Sequence, residues 1–240
     1  MSLNDFFKLG FIGKYINESS LTSANTTLIL LICGVALSAI LSYLIGSVNF
    51  AIIISGKTYK QDIREFGSKI AGMTNMMRTY GKKAAALTLL GDALKAVVAG
   101  FIGYALIGQL GAYVAGCACV IGHMSPIFFK FKGGKGVVTA AIAVLMSNPF
   151  VFAILFICFV IIVAGTRYIS LGSIMCMLVY PFMLSAIDTW LVGGCPYVLF
   201  ALLMAVLVIF KHKDNIKRLR EGTENKFSFK KSAKSSDTEK

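Results

Sequence analysis

Apolar residues run almost unbroken from 28 to about 54, and again over 84–107, 110–129, 137–146, 150–164, 170–187 and 197–210. Runs this long and this free of charge predict helices that cross a membrane or are covered on every side. A helix needs about 20 residues to cross a hydrocarbon core of about 30 Å. Several runs are shorter than that, and Asn148-Pro149 divides what could be one span from 137 to 164. The first run is too long for the core of a signal peptide and reads as a membrane helix. Before it, residues 1–26 are mixed and polar, and 6–16 could lie flat on a membrane surface.

Charge decides how often the chain crosses. Seven Lys/Arg fall in 57–83, three in 130–135 and ten in 211–240, with Arg167 alone between two runs. These are 21 of the 24 in the chain; the others are Lys8, Lys14 and Lys95. The connections 108–109, 147–149 and 188–196 carry none. If 137–164 crosses twice, every basic connection lies on one side, as the positive-inside rule requires. The expectation is therefore an all-α, multi-span integral membrane protein of about seven transmembrane helices. Its N-terminus is outside and its C-terminus cytoplasmic. Segment 137–146 is short for a crossing and is expected to start near Gly133 or to be a half-helix covered by neighbours. The chain divides into an extracytoplasmic extension (1–26), a membrane domain (27–225) and a basic, disordered cytoplasmic tail (226–240).

Composition agrees. With 57% apolar and 15% charged residues, the chain cannot coat a soluble surface. This excludes a soluble α/β enzyme, a disordered protein and a secreted disulfide scaffold. The net charge of +13 follows from the one-sided loops and does not indicate a nucleic-acid partner. The six cysteines lack metal-site or CxxC spacing and read as small buried apolar residues.

Four clusters, all on the predicted cytoplasmic side, could carry chemistry. The first is Ser42-x3-Gly46-Ser47, then Asp62-x-Arg64-x2-Gly67-Ser68, then Gly72-x-Thr74-Asn75-x2-Arg78-x2-Gly81. Glycines admit close backbone approach, and hydroxyls, amides and guanidinium supply donors to an anion. An ordinary solvated glycine loop fits the composition equally well. The second is Lys132-Gly133-Gly134-Lys135-Gly136-x2-Thr139, where a helix start after a glycine loop favours phosphate. It is not a Walker A loop, because Gly136 stands where Ser or Thr would be required. A basic interfacial anchor fits the spacing as well. The third is Arg167-Tyr168-x-Ser170-Leu171-x-Ser173, and the fourth is His212-x2-Asn215-Ile216-x-Arg218-Leu219-x2-Gly222-x-Glu224. If the last helix continues, His212 and Asn215 share a face. Within a span, Asp92 and Lys95 are placed to form a structural ion pair. There is no GxSxG, no HExxH, and neither histidine has Asp five residues on. A reaction here would work by positioning anions and stabilising charge, with no metal.

In order and spacing, these blocks resemble the acyl-phosphate:glycerol-3-phosphate acyltransferase family, known as PlsY, over roughly residues 40–225. The resemblance implies seven spans and transfer of a fatty acyl group from acyl phosphate to the sn-1 hydroxyl of glycerol 3-phosphate. The products are lysophosphatidic acid and phosphate, at the first step of phospholipid synthesis. It also implies no cofactor, membrane lipids as surroundings, a functional link to a soluble enzyme that makes acyl phosphate, and a bacterial cytoplasmic membrane with the site on its cytoplasmic face. The residues that match its phosphate-binding positions are Ser68, Thr74, Arg78, Lys135 and Ser170, with His212 and Asn215 holding substrate near the last helix. Asn75 belongs to the same substrate set. Lys135, Arg78 and Ser68 are the expected catalytic residues. Asp62, Arg64, Gly72, Gly133, Gly134, Gly136, Asp92 and Lys95 are expected to support them. One departure stands out. The family pattern G-S-G-N is here Gly67-Ser68-Lys69-Ile70, so one ligand contact is lost or passes to Lys69. Met73 and Val138 also replace residues that are usually Ala. A transporter of a phosphorylated small molecule is the rival, but the clusters sit at one face rather than mid-membrane and no internal repeat is visible. A membrane scaffold with a basic tail is a second rival. It would not require these clusters in this order.

Overall fold

A computed structural model describes residues 3–19, 23–192, 194 and 196–227. The described residues form helices joined by short turns: α1 (Leu3–Glu18), α2 (Ala24–Ser47), α3 (Phe50–Tyr59), α4 (Met73–Tyr80), α5 (Lys82–Met124), α6 (Val137–Ser147), α7 (Pro149–Thr166), α8 (Ile169–Val192), α9 (Val198–Lys211) and α10 (Lys213–Arg220). Four helical stretches are long and apolar enough to cross a membrane: Ala24–Tyr59, Lys82–Phe129, Pro149–Thr166 and Ile169–Trp190. Val137–Ser147 and Val198–Lys211 are apolar but shorter. At 1.5 Å per residue, α6 extends only about 16 Å, half of a hydrocarbon core.

Local chemistry sets the breaks. Ser23 caps α2 through Thr26 N–H at 3.3 Å. Asn49 stops α2 and starts α3 by accepting from Ile52 N–H at 3.2 Å. Asn148 does the same for α7 through Val151 N–H at 3.1 Å, with Pro149 in the first helical position, where its missing N–H costs nothing. The two apolar runs expected over 84–107 and 110–129 are one continuous element that folds back on itself. Ile107 and Gly108 leave helical geometry, Gly108 at φ 59°. The limbs then pack so closely that a methyl on Gly103 would collide with the Gly111 carbonyl.

Helix α2 packs on α5 along a row of small residues at four-residue spacing, Gly34, Ser38, Ser42 and Gly46. Ser38 Oγ donates to the Gly111 carbonyl at 3.3 Å, and a side chain at Gly46 would strike Cys119. Such seams let backbones approach in lipid, where burial of apolar surface no longer drives association. A second core lies between α5, α6, α7, α8 and α9, around Tyr113, Val144, Val151, Tyr180, Leu184 and Val208. The outer surface is apolar, with Leu90, Ile161, Phe182 and Leu199 all at least 65% exposed. That much exposed hydrocarbon fits lipid, not water.

The expected extension contains α1, which is not separate from the bundle. Gly10, at φ 65°, meets the Gly108 turn backbone to backbone. Of the expected tail, residues 228–240 lie outside the described residues.

Polar contacts gather at two ends. At one, Tyr104 donates to the Met146 carbonyl, Gln109 to the Ser147 carbonyl at 3.0 Å, and Asn148 to Asp188 at 3.2 Å. At the other lie the connections 60–81, 125–136, 167–168 and 211–227, which carry the four sequence clusters. One polar group lies deep in the bundle. Lys95 and Asp92, one helical turn apart, form an ion pair at 2.8 Å with each side chain 3% exposed. Lys95 also donates to the Val48 carbonyl at 2.7 Å, which the break between α2 and α3 leaves without its helical partner.

Candidate active site

The loop before α4 is tied down by three side chains. Asp62 caps a short turn at Arg64 N–H, 2.9 Å away. Its carboxylate also holds Arg64 through two side-chain nitrogens, so the guanidinium keeps the Asp62 carboxyl below its usual range. Arg64 reaches on to the carbonyls of Phe129 at 2.8 Å and Lys132 at 3.1 Å, joining this loop to the glycine loop. Asn75, grouped with the substrate residues from the sequence, has its amide committed elsewhere. It is 2% exposed, accepts from Ser68 N–H at 3.0 Å, and donates to Phe66 at 2.9 Å and Ile63 at 3.2 Å. Its work is to shape the turn that presents Ser68. Ser68 itself is exposed, between Gly67 at φ 57° and Lys69 at φ 58°. A left-handed residue is natural for glycine and strained for lysine, which gives a physical reason for the glycine that the sequence pattern expects at 69.

The glycine loop is strapped to the end of α5. Gly134 N–H donates to the His123 carbonyl at 3.1 Å and Gly133 N–H to the Met124 carbonyl at 3.3 Å. A side chain at Gly133 would strike the His123 carbonyl, and one at Gly134 would strike the His123 ring and the Ala71 carbonyl. The loop can lie this close only as glycine. Gly136 then turns at φ 76° and α6 begins.

Past α9 the chain does not continue as one helix. His212 interrupts it, and α10 starts at Lys213. His212 and Asn215 nonetheless both turn inward and are at most 5% exposed. His212 Nδ1 meets the Val208 carbonyl at 2.7 Å, so Nδ1 carries the proton and Nε2 the lone pair. Burial first, then the nearby Lys135 charge, push the His212 pKa down to about 4 against the pull of the Val208 carbonyl, keeping it neutral.

Glu224 joins these parts. Its Oε1 accepts from Ser170 Oγ at 2.9 Å and Asn215 Nδ2 at 2.7 Å, and its Oε2 from Arg218 Nε at 2.7 Å. Burial works to raise its pKa, but these bonds hold the carboxyl below its usual range. Asn215 Oδ1 in turn accepts from Lys135 Nζ. Burial pushes Lys135 down to about 8, although the Glu224 charge pulls it up. Arg78, on α4, is lowered by burial and feels Glu224 and Arg218 as electrostatic neighbours.

The result is a group of three cations, Arg78, Lys135 and Arg218, drawn from three separate segments around one carboxylate. Such a group holds surplus positive charge in a partly desolvated place, which favours a bound dianion. Lys135, Ser170, Asn215 and His212 are brought together as the sequence suggested, with Arg78 in electrostatic range. Ser68 and Thr74 stand on the loop and first turn leading to Arg78, and neither side chain is hydrogen-bonded to that network among the described residues. Glu224 and Arg218 were visible only as letters in a pattern. Nothing local distinguishes Glu224 from Glu221, and only the return of residues 221–227 toward the α7–α8 turn reveals it. Phe227 N–H marks that return by donating to the Arg167 carbonyl at 2.7 Å. Among the described residues, no group of three His, Cys, Asp or Glu is placed to hold a metal ion.

The chain matches the family model described as glycerol-3-phosphate acyltransferase over residues 36–222. It is 44% identical to a glycerol-3-phosphate acyltransferase of Thermoanaerobacter pseudethanolicus over 194 residues, covering 81% of this chain and 96% of the relative. It is 41% identical to one of Finegoldia magna over 188 residues, 78% of this chain and 93% of that protein. Among solved structures it is similar to PlsY, an integral membrane glycerol 3-phosphate acyltransferase, in a glycerol 3-phosphate form. The TM-score is 0.72 at 34% identity, over 81% of this chain and 96% of the other. The lysophosphatidic acid form of that enzyme gives a TM-score of 0.70 at 32% identity.

Proposed function

The chain belongs to the glycerol-3-phosphate acyltransferase family, and from that premise we propose that it moves a fatty acyl group from an acyl phosphate to the sn-1 hydroxyl of glycerol 3-phosphate. The observation that carries this reading is the network in which Arg218 bonds Glu224 and Lys135 joins it through Asn215, with Arg78 in electrostatic range. Both substrates carry phosphate, and the site offers two sets of donors. Lys135, Asn215 and His212, close to the 221–227 segment, take the water-soluble glycerol 3-phosphate. Ser68, Thr74 and Arg78 take the phosphate of the acyl donor, whose chain enters between helices from the bilayer.

The hydroxyl oxygen attacks the acyl carbon, the bond from that carbon to the phosphate oxygen breaks, and phosphate leaves with the electron pair. A phosphate oxygen accepts the hydroxyl proton. An acyl phosphate is a mixed anhydride with a good leaving group, so a strong protein base is not required. The protein supplies orientation and charge. Losing one charge-stabilising donor such as Lys135 typically costs about 10²–10³-fold in rate. His212, neutral with its lone pair on Nε2, is suited to orient a hydroxyl.

The one-sided basic connections support seven crossings in a bacterial cytoplasmic membrane, with the N-terminus outside and this site on the cytoplasmic face. The α5 fold-back supplies two of these crossings, and α6 one that is incomplete by length. Phospholipid synthesis would then depend on a soluble enzyme that makes the acyl phosphate.

The test offers glycerol 3-phosphate with palmitoyl phosphate, palmitoyl-CoA or palmitoyl carrier protein to the purified protein in detergent. Lysophosphatidic acid formed only from the acyl phosphate, and lost in Lys135→Ala, is the expected result. Product from the thioesters instead would overturn the donor assignment.

A further inference from the structure

The buried ion pair in α5 has a third member that the reaction does not use. His123, on the other limb of the fold-back and 5% exposed, turns Nδ1 to Lys95 Nζ at 2.9 Å. Lys95 thereby meets three acceptors: Asp92 at 2.8 Å, the Val48 carbonyl at 2.7 Å and His123 Nδ1. An ammonium has three protons and no lone pair. Its nitrogen cannot accept; although His123 Nδ1 also lies 3.5 Å from Asp92 Oδ1, the shorter contact with Lys95 places the lone pair on Nδ1 and the ring proton on Nε2. Nε2 is the atom that abuts Gly134, next to Lys135. The same missing side chain would also strike the Ala71 carbonyl, one residue before Gly72. The His123 carbonyl already holds Gly134 N–H. One residue therefore meets the glycine loop with both its backbone and its ring, where that loop meets the segment leading to Thr74 and Arg78.

We propose that His123 is a positioning residue for the phosphate site. Lys95 fixes it as the Nε2–H tautomer, and that N–H, directed at the seam between Ala71 and Gly134, sets the loop that aims Lys135. Asp92 and Lys95, which local spacing makes a simple structural pair, then act on the site through His123. His123 touches neither substrate. The proposal rests on the acyl-transfer reading of the site.

Two measurements test it. The chain has two histidines, so the full protein labelled with ¹⁵N-histidine in detergent gives a simple spectrum, and His123→Gln assigns it. The expected result is opposite tautomers, with the proton on Nε2 in His123 and on Nδ1 in His212. A proton on His123 Nδ1, or a doubly protonated ring, overturns the proposal. It does so without any substrate, and so independently of whether acyl transfer occurs. The second measurement compares His123→Gln with His123→Asn. The Gln amide can place an N–H near the Nε2 position, and the shorter Asn cannot. Gln should keep a KM for glycerol 3-phosphate near the wild-type value. Asn should raise it about tenfold, with kcat changed less. Equal KM values in two variants of equal melting temperature overturn the proposal. If both variants fail to fold, the tautomer measurement on the wild type still decides. A wild-type protein that makes no lysophosphatidic acid overturns the acyl-transfer reading and leaves the tautomer result standing.

Discussion

Replacing Lys135 by arginine should remove the alkaline limb of the pH–rate profile. Burial lowers the Lys135 pKa from 10.5 to about 8, the charge of Glu224 opposes the shift, and Arg218 adds to it. At 1.36 kcal/mol per unit, burial disfavours the ammonium by about 3 kcal/mol. Below pH 8 Lys135 is charged and kcat/KM for glycerol 3-phosphate should be flat. Above it the ammonium is lost and kcat/KM should fall, approaching tenfold per pH unit. A bound phosphate dianion stabilises the charge again, so the limb in kcat should lie at higher pH than the limb in kcat/KM. Folding moves the opposite way. Between the folded value and 10.5 the unfolded chain binds more protons, so this residue makes stability rise with pH in that window. Arginine stays charged throughout, at the cost of a different shape. The assay is initial rate at low glycerol 3-phosphate and saturating acyl phosphate, across neutral and alkaline pH, corrected for spontaneous hydrolysis. A limb that persists unchanged in Lys135→Arg, or a wild-type profile flat well past about 8, would refute the reasoning.

Three further outcomes follow from the contacts. Glu224→Gln keeps the shape but removes the charge that Arg218, Asn215 and Ser170 share; kcat/KM should drop by about 10²-fold and the melting temperature should fall, and unchanged kinetics would remove Glu224 from the site. Asn75→Ala strands the Ser68 N–H, at about 1–3 kcal/mol for that group, and removes one of two bonds from each of the Ile63 and Phe66 carbonyls, which keep the N–H groups of Phe66 and Lys69. Melting temperature and activity should therefore fall together, whereas normal melting with a raised KM would return Asn75 to the substrate. Lys69→Gly relieves a left-handed residue worth about 1 kcal/mol, so stability should rise with turnover unchanged. Lost turnover there would mean that Lys69 holds substrate.

Much of the architecture is written locally. Long apolar runs become helices in lipid because the backbone has no other way to satisfy its hydrogen bonds. Gly108 and Asn148-Pro149 mark real breaks, because a left-handed turn and a capped proline start are chemistry of single residues. The glycine loop was likewise legible as a run of glycines between lysines, and the Asp92–Lys95 pair because its members lie one turn apart. The row Gly34, Ser38, Ser42 and Gly46 was present in the sequence as small residues every fourth position, a signal that points to close helix packing.

Tertiary structure decided what depends on distant partners. Asn75 and Ser68 look alike in a loop rich in donors, yet one faces the protein backbone and the other is exposed. Glu224 gains its role only because residues 221–227 turn back to meet Ser170, 54 positions earlier. His123 meets Lys95 only because α5 folds on itself, joining residues 28 apart. A sequence fixes the period of a helix and the chemistry of a turn, because those energies are local. Which carboxylate neutralises which cation depends on desolvation and distance, and both are set by the whole bundle.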